Sequence, residues 1–273
     1  MKYIKLGSGY FFKNSWWLLL VWLLPSIFVG LCTGPFQIIE FMNSYPKTII
    51  SNFGDIFNIL MPLTWQRAIF VVLGIFLVSI FVSMAFGESE SHMRSGKLGF
   101  KEIFSYVNND ILVSIVNIFI IEIIYIIFKF ILGSILFLLH LLLSGLSSVA
   151  TILNVILAIV LCVCVIVLFT LLASTFLINI PNMISNGYSL KESISSTFQL
   201  LSRSTFKLLL AYLMPFLFII PVISLLSHTS VLWLGNILSF LFLGAYYSSL
   251  TMTSYFELSN TSRYDNRKYY NYK

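Results

Sequence analysis

The feature that most constrains this chain is a series of apolar runs, each about as long as a bilayer is thick and nearly free of charge. A hydrocarbon core about 30 Å thick is crossed by roughly 20 helical residues. Trp16–Gly34, Ala68–Phe86, Ile152–Ile180, Leu208–Leu226 and Val231–Phe256 reach that length, and a sixth run begins at Ile111. Charged residues make up only 10% of the chain and hydrophobic ones 59%, whereas soluble domains carry about 25% charged residues. A water-soluble core could not bury so much apolar side chain. The sequence therefore predicts an all-α polytopic membrane bundle of six transmembrane helices. A single domain is expected over 1–256, followed by a basic and aromatic tail over 257–273.

The basic residues orient it. Lys2, Lys5 and Lys13 precede the first run; Arg94, Lys97 and Lys101 lie between the second and third; Lys191, Arg203 and Lys207 lie between the fourth and fifth; Arg263, Arg267, Lys268 and Lys273 follow the last. These are thirteen of the sixteen Lys and Arg residues, with Lys47, Arg67 and Lys129 left for the other side. Short loops rich in Lys and Arg stay inside, so both termini are expected in the cytoplasm of a bacterial cell (inner) membrane. The first run contains Pro25 and tryptophans and lacks a good small-residue cleavage site, so it reads as a retained helix rather than a signal peptide. The tail mixes basic and aromatic residues directly after a span, which fits anionic lipid at the cytoplasmic face better than nucleic acid.

An internal repeat organises the runs. Lys13-Asn-Ser-Trp-Trp-Leu-Leu-Leu-Val-Trp-Leu-Leu-Pro25 aligns without gaps on Arg203-Ser-Thr-Phe-Lys-Leu-Leu-Leu-Ala-Tyr-Leu-Met-Pro215. Each proline removes a backbone hydrogen bond, so Pro25 and Pro215 are expected helix kinks. Gly96–Glu102 likewise matches Gly187–Glu192 with one insertion. After the first, Phe100, Ile103, Phe104 and Val107 are helically spaced; after the second, Leu190, Ile194, Phe198 and Leu201 are. Residues 99–107 and 189–202 are thus expected as short interfacial helices, the second opened by a Ser189/Glu192 capping box. The chain reads as three units, each an interfacial helix followed by a helical hairpin. Outward loops are expected at 35–67, 129–151 and 227–230, with apolar pieces at 36–39 and 56–60 lying in or dipping into the interface.

Pro181, then Gly187-Tyr-Ser-Leu-Lys-Glu-Ser193, a short helix and Arg203 leading into the next span form a pattern similar to that of uncharacterised bacterial six-span membrane proteins. Those resemble the membrane domain of glycerophosphodiester phosphodiesterases. The resemblance covers 178–215 and, more faintly, 84–112. In that group the phosphodiesterase is a separate soluble barrel, which this chain lacks. The resemblance therefore implies the fold and argues against the activity.

Chemistry-bearing residues are few. Glu122 falls mid-span, where an ionised carboxylate costs roughly 2.5–3.5 kcal/mol on insertion scales and often marks function. Lys129 is two turns further along the same face, with Tyr125 between them. Two readings stand open: a proton- or ion-coupled site or contact for a cationic partner, or a structural glutamate with Lys129 snorkelling to the outer interface. Cys162 and Cys164 point to opposite sides of a helix and make neither a redox pair nor a metal clamp. His92, His140 and His228 each stand alone. Ser8, between two glycines, precedes the first run and lacks a nucleophile's setting. Gly244, Ala245, Ser248 and Ser249 form a small face suited to close helix packing or to a subunit interface.

No catalytic motif, metal site or cofactor is expected, and the chain reads as no enzyme. The leading expectation is a scaffold, accessory or permease-like subunit of a membrane complex, with a partner such as a transporter ATPase or a second copy of itself. The alternatives are a small secondary transporter titrating at Glu122 and a membrane immunity protein against a peptide toxin.

Overall fold

The computed structural model describes residues 2–44, 53–61, 64–99, 102–143, 148–202 and 204–265. Lys47, Phe100, Lys101, Arg203 and the tail beyond 265 lie outside the described residues. Every regular element among them is helical: α1 Lys2–Cys32, α2 Gln37–Ser44, α3 Phe53–Leu60, α4 Trp65–Ser95, α5 Ile103–Leu143, α6 Ser148–Asn186, α7 Leu190–Leu201, α8 Thr205–Leu213, α9 Phe216–Leu226 and α10 Leu232–Leu258. Five stretches, Lys2–Cys32, Trp65–Ser95, Ile103–Leu142, Ile152–Asn186 and Thr205–Leu226, are long and apolar enough to cross a membrane. This is the architecture of a helical membrane protein.

The most extensive packing joins α1 to α10, and small residues make it close. A side chain at Gly7 would meet Leu250 at 2.8 Å, one at Gly30 would meet Ile237 at 2.6 Å, and one at Gly244 would collide with the Trp22 indole. Hydrogen bonds cross the same seam: Trp22 Nε1 donates to Ser248 Oγ at 2.9 Å, and Ser249 Oγ to the Gly7 carbonyl at 2.6 Å. The small face of the last run is thus occupied inside the molecule. These pairs set α1 and α10 antiparallel. The two ends of the described chain meet through the Lys2–Glu257 ion pair and a Lys13 Nζ bond to the Asp265 carbonyl at 3.3 Å.

Two apolar cores divide the bundle along its length. One surrounds Trp17, Leu18, Phe86, Tyr212 and Phe256 near the chain ends; the other surrounds Phe41, Ile56, Leu60, Leu136 and Ile223 at the far end. The short helices α2 and α3 belong to the second core, with Phe41, Ile56 and Leu60 fully buried. Their apolar pieces go into the protein rather than lying on its surface.

Several expected boundaries differ. Among the described residues of 99–107 there is no separate helix: α5 starts at Ile103 and continues unbroken, because no glycine or proline interrupts the helical pattern through Asn108, Asn109 and Asp110. Phe104 lies in its first turn and is exposed. The expected loop 129–151 is helix as far as Leu143, so Lys129 is well inside α5 and not at a helix end. At 41 residues and about 1.5 Å per residue, α5 is about 60 Å long, twice the roughly 30 Å of a hydrocarbon core.

The paired prolines also behave differently. Pro215 separates α8 from α9, whereas α1 runs through Pro25. One turn of α1 is reinforced beside that proline, where Ser26 Oγ donates to the Trp22 carbonyl at 2.6 Å. The paired glycines match: Gly96 (φ 72°) follows α4 and Gly187 (φ 65°) follows α6, both in the left-handed region that ends helices at little cost to glycine.

Candidate functional site: an intramembrane cavity with a cationic end

α5 carries Glu122, Tyr125 and Lys129 at positions i, i+3 and i+7, on one helix face. All three line a cavity of about 540 Å³ bounded by α1, α2, α4, α5, α6 and α10. Its walls are mainly valine, isoleucine and phenylalanine, including Val71, Val72, Ile75, Phe119, Ile123 and Phe169. Arg67, at the start of α4, lines the same space.

Lys129 is buried, with 6% of its surface exposed, and does not snorkel to an interface. Its Nζ donates to Gln37 Oε1 at 3.0 Å and sits 4.3 Å from the centre of the Tyr125 ring. A desolvated cation over an aromatic face gains about 2 kcal/mol, which offsets part of the cost of burial. The partners are themselves held. Tyr125 Oη donates to the Pro35 carbonyl at 3.1 Å, and Gln37 Nε2 to the Thr33 carbonyl at 3.2 Å. The turn after α1 makes this arrangement: Gly34 adopts φ 61°, and α2 then starts with Gln37 facing α5. Glu122 forms no ion pair with Lys129; two helical turns, about 10 Å, separate them. The structure thus brings Lys129 and Tyr125 together and leaves Glu122 apart, on the same cavity wall.

A second polar assembly went unrecognised in the sequence. Asn179 Nδ2 donates to Asn117 Oδ1 at 2.9 Å, while Asn179 Oδ1 accepts from Ser193 Oγ at 2.6 Å and Thr197 Oγ1 at 3.1 Å. Asn182 Nδ2 donates to Thr197 Oγ1 at 3.0 Å, and Asn186 Nδ2 to Asn182 Oδ1 at 2.9 Å. This ladder ties α5, α6 and α7 together. Its signal was present, since Asn179, Asn182 and Asn186 recur at helical spacing. The predicted helix α7 forms, with Glu192 accepting the Ser189 backbone N–H at 3.1 Å in a capping box. The face that α7 buries, however, is Ser193, Thr197 and Leu201, so that of the apolar stripe only Leu201 is fully buried. Phe198 is 54% exposed and Leu190 half-buried. Polar groups in a membrane protein have more to gain from one another than apolar ones, which lipid solvates equally well.

Other residues take structural places. His92 is not alone: its Nδ1 shares a 3.0 Å hydrogen bond with Tyr10 Oη, beside the buried Arg263–Asp265 ion pair. Glu88 is fully buried, and its Oε1 accepts the Gly99 N–H at 2.6 Å, securing the α4–α5 connection. Ser8 Oγ donates to the Ile4 carbonyl within α1. Cys162 is buried and Cys164 exposed, as their spacing implied, and both are free thiols. Among the described residues no three His, Cys, Asp or Glu side chains gather into a metal site. Comparison with protein-family models, with curated proteins and with solved structures finds no match to this chain.

Proposed function

We propose that this chain is a six-span, non-enzymatic membrane protein of the permease-like kind, whose working site is the intramembrane cavity at Glu122, Tyr125 and Lys129. The observation that carries the reading is the burial of Lys129. A lysine serving only as an interfacial anchor would extend its ammonium to water, where the charge is solvated. Here Gln37 and the Tyr125 ring hold the ammonium against a cavity instead. Ionisable groups kept inside a membrane bundle mark pathways for substrates and ions.

The sixth span in this reading is α10, whose Ser248 and Ser249 hydroxyls meet α1 and whose Tyr246 and Tyr247 hydroxyls donate to α8 carbonyls rather than facing lipid. Chain ends at one end of the bundle accord with an even number of crossings, and the distribution of Lys and Arg puts both in the cytoplasm of a bacterial inner membrane. The matched glycines after α4 and α6 agree with a repeated unit.

The test compares a strain lacking the chain with one carrying Lys129→Met at equal protein level. Untargeted profiling of membrane and medium small molecules is the readout, and the expected result is that Lys129→Met reproduces the deletion profile. A Lys129→Met profile matching wild type, while the deletion differs, overturns the reading. A second reading, an accessory subunit that docks a peripheral partner such as a transporter ATPase, is favoured by α7, which buries its hydroxyls and leaves Phe198 outward.

A further inference from the structure

We propose that the cavity takes an anionic amphiphile from the bilayer, seating its acidic headgroup between Arg67 and Lys129 and its hydrocarbon chain along α4 and α5. The inference deepens the reading of the cavity as the working site and rests on it. Three features support it.

The first is access. Val72 on α4 and Phe119, Ile123 and Ile126 on α5 line the cavity and are each also at least 37% exposed. α4 and α5 are joined closely near their connection, where Ser83 Oγ bonds Ser114 Oγ at 2.8 Å and a side chain at Gly87 would run into Tyr106. Their other halves instead share the cavity wall, so the space opens sideways, where lipid lies.

The second is charge. Arg67 and Lys129 face the same space, and no carboxylate lies within ion-pairing distance of either among the described residues. Glu40, the nearest acid on α2, accepts from Asn236 Nδ2 at 3.1 Å. The Lys129 ammonium has three donors, and Gln37 takes one. Glu122 lies two turns away along the same cavity wall. The third is shape: about 540 Å³ of largely apolar lining with a few convergent polar groups falls within the roughly 300–1,000 Å³ of ligand pockets. A small hydrophilic solute would leave most of that wall unmatched.

Phosphatidylglycerol and oleate share this chemistry, one as a membrane phospholipid and the other as a free acid. The full-length protein is placed in phosphatidylcholine nanodiscs containing a minor fraction of either probe, and lipid carried into the gas phase is read by native mass spectrometry. Wild type is expected to retain an anionic probe over phosphatidylcholine by about tenfold, as one charge-assisted hydrogen bond provides. Arg67→Gln, at an exposed helix start, should erase most of that preference. Val72→Trp should lower retention of every lipid and leave the preference intact. Retention of oleate over phosphatidylglycerol, with the same dependence on Arg67, assigns the free acid. Equal retention of phosphatidylcholine and both anionic probes by wild type, with Val72→Trp still lowering occupancy, overturns the anionic headgroup and leaves the cavity as a site. No retained lipid on wild type, or unchanged occupancy in Val72→Trp, overturns both.

Discussion

Lys129 and Asn179 show how differently two buried polar side chains respond to loss of a partner. Gln37 is the acceptor for the Lys129 ammonium. Gln37→Leu strands that ammonium and should lower stability by about 1–3 kcal/mol. Lys129→Met removes the charge and fills similar volume, which is often neutral or stabilising for buried ions. Thermal unfolding in mild detergent should therefore rank Gln37→Leu below wild type and Lys129→Met at or above it; the reverse order would show that Lys129 is solvated. Asn179 has no such escape. Asn179→Leu leaves Asn117, Ser193 and Thr197 each short of a partner, and a loss of about 1–3 kcal/mol is expected in the same measurement.

Among the helices, the α1–α10 seam turns on where glycine is needed. Gly244 faces the Trp22 indole with no room for another carbon, whereas Gly9 in the same pair of helices has nothing within 4 Å. Gly244→Val should cost about 1–3 kcal/mol through overpacking. Gly9→Ala should be neutral or stabilise by up to about 1 kcal/mol, because alanine restricts the unfolded chain. Equal melting temperatures for the two variants would deny the seam. For α7, the Ser189 hydroxyl and backbone N–H hold the Glu192 carboxyl below its ordinary pKa of 4.5. A carboxyl with a lowered folded pKa contributes stability above its unfolded value and loses it as pH falls through the folded one. Amide protection in the first turn of α7 should accordingly be undiminished at neutral pH and fall below about pH 4.5, and Glu192→Gln should flatten that dependence.

Across the molecule, the meeting of Lys2 with Glu257 and of Lys13 with Asp265 places both ends of the described chain together. A reporter fused after Lys273 should be active only as a cytoplasmic enzyme, and one inserted at Thr229, between α9 and α10, only outside. Opposite activities at either site would overturn the six-span arrangement.

Local signals carried much of this architecture. Apolar run length announced the membrane helices, since bilayer thickness sets that length whatever the fold. The Ser189/Glu192 spacing announced the start of α7, because a capping box closes within four residues. Cys162 and Cys164 face apart for the same short-range reason. What needed the tertiary structure were the features made by distant parts of the chain. Lys129 could be taken for an interfacial lysine because Gln37 and Pro35 are remote in sequence; only the tertiary fold, which brings the turn after α1 and the first residue of α2 to α5, gives the ammonium and Tyr125 their partners. The run after Lys129 looked like a loop because hydropathy cannot distinguish a long helix packed on its neighbours from a short one followed by an interfacial segment. Which face α7 turns inward was not legible from its apolar stripe, because next to lipid it is the hydroxyls and asparagines that must turn toward each other.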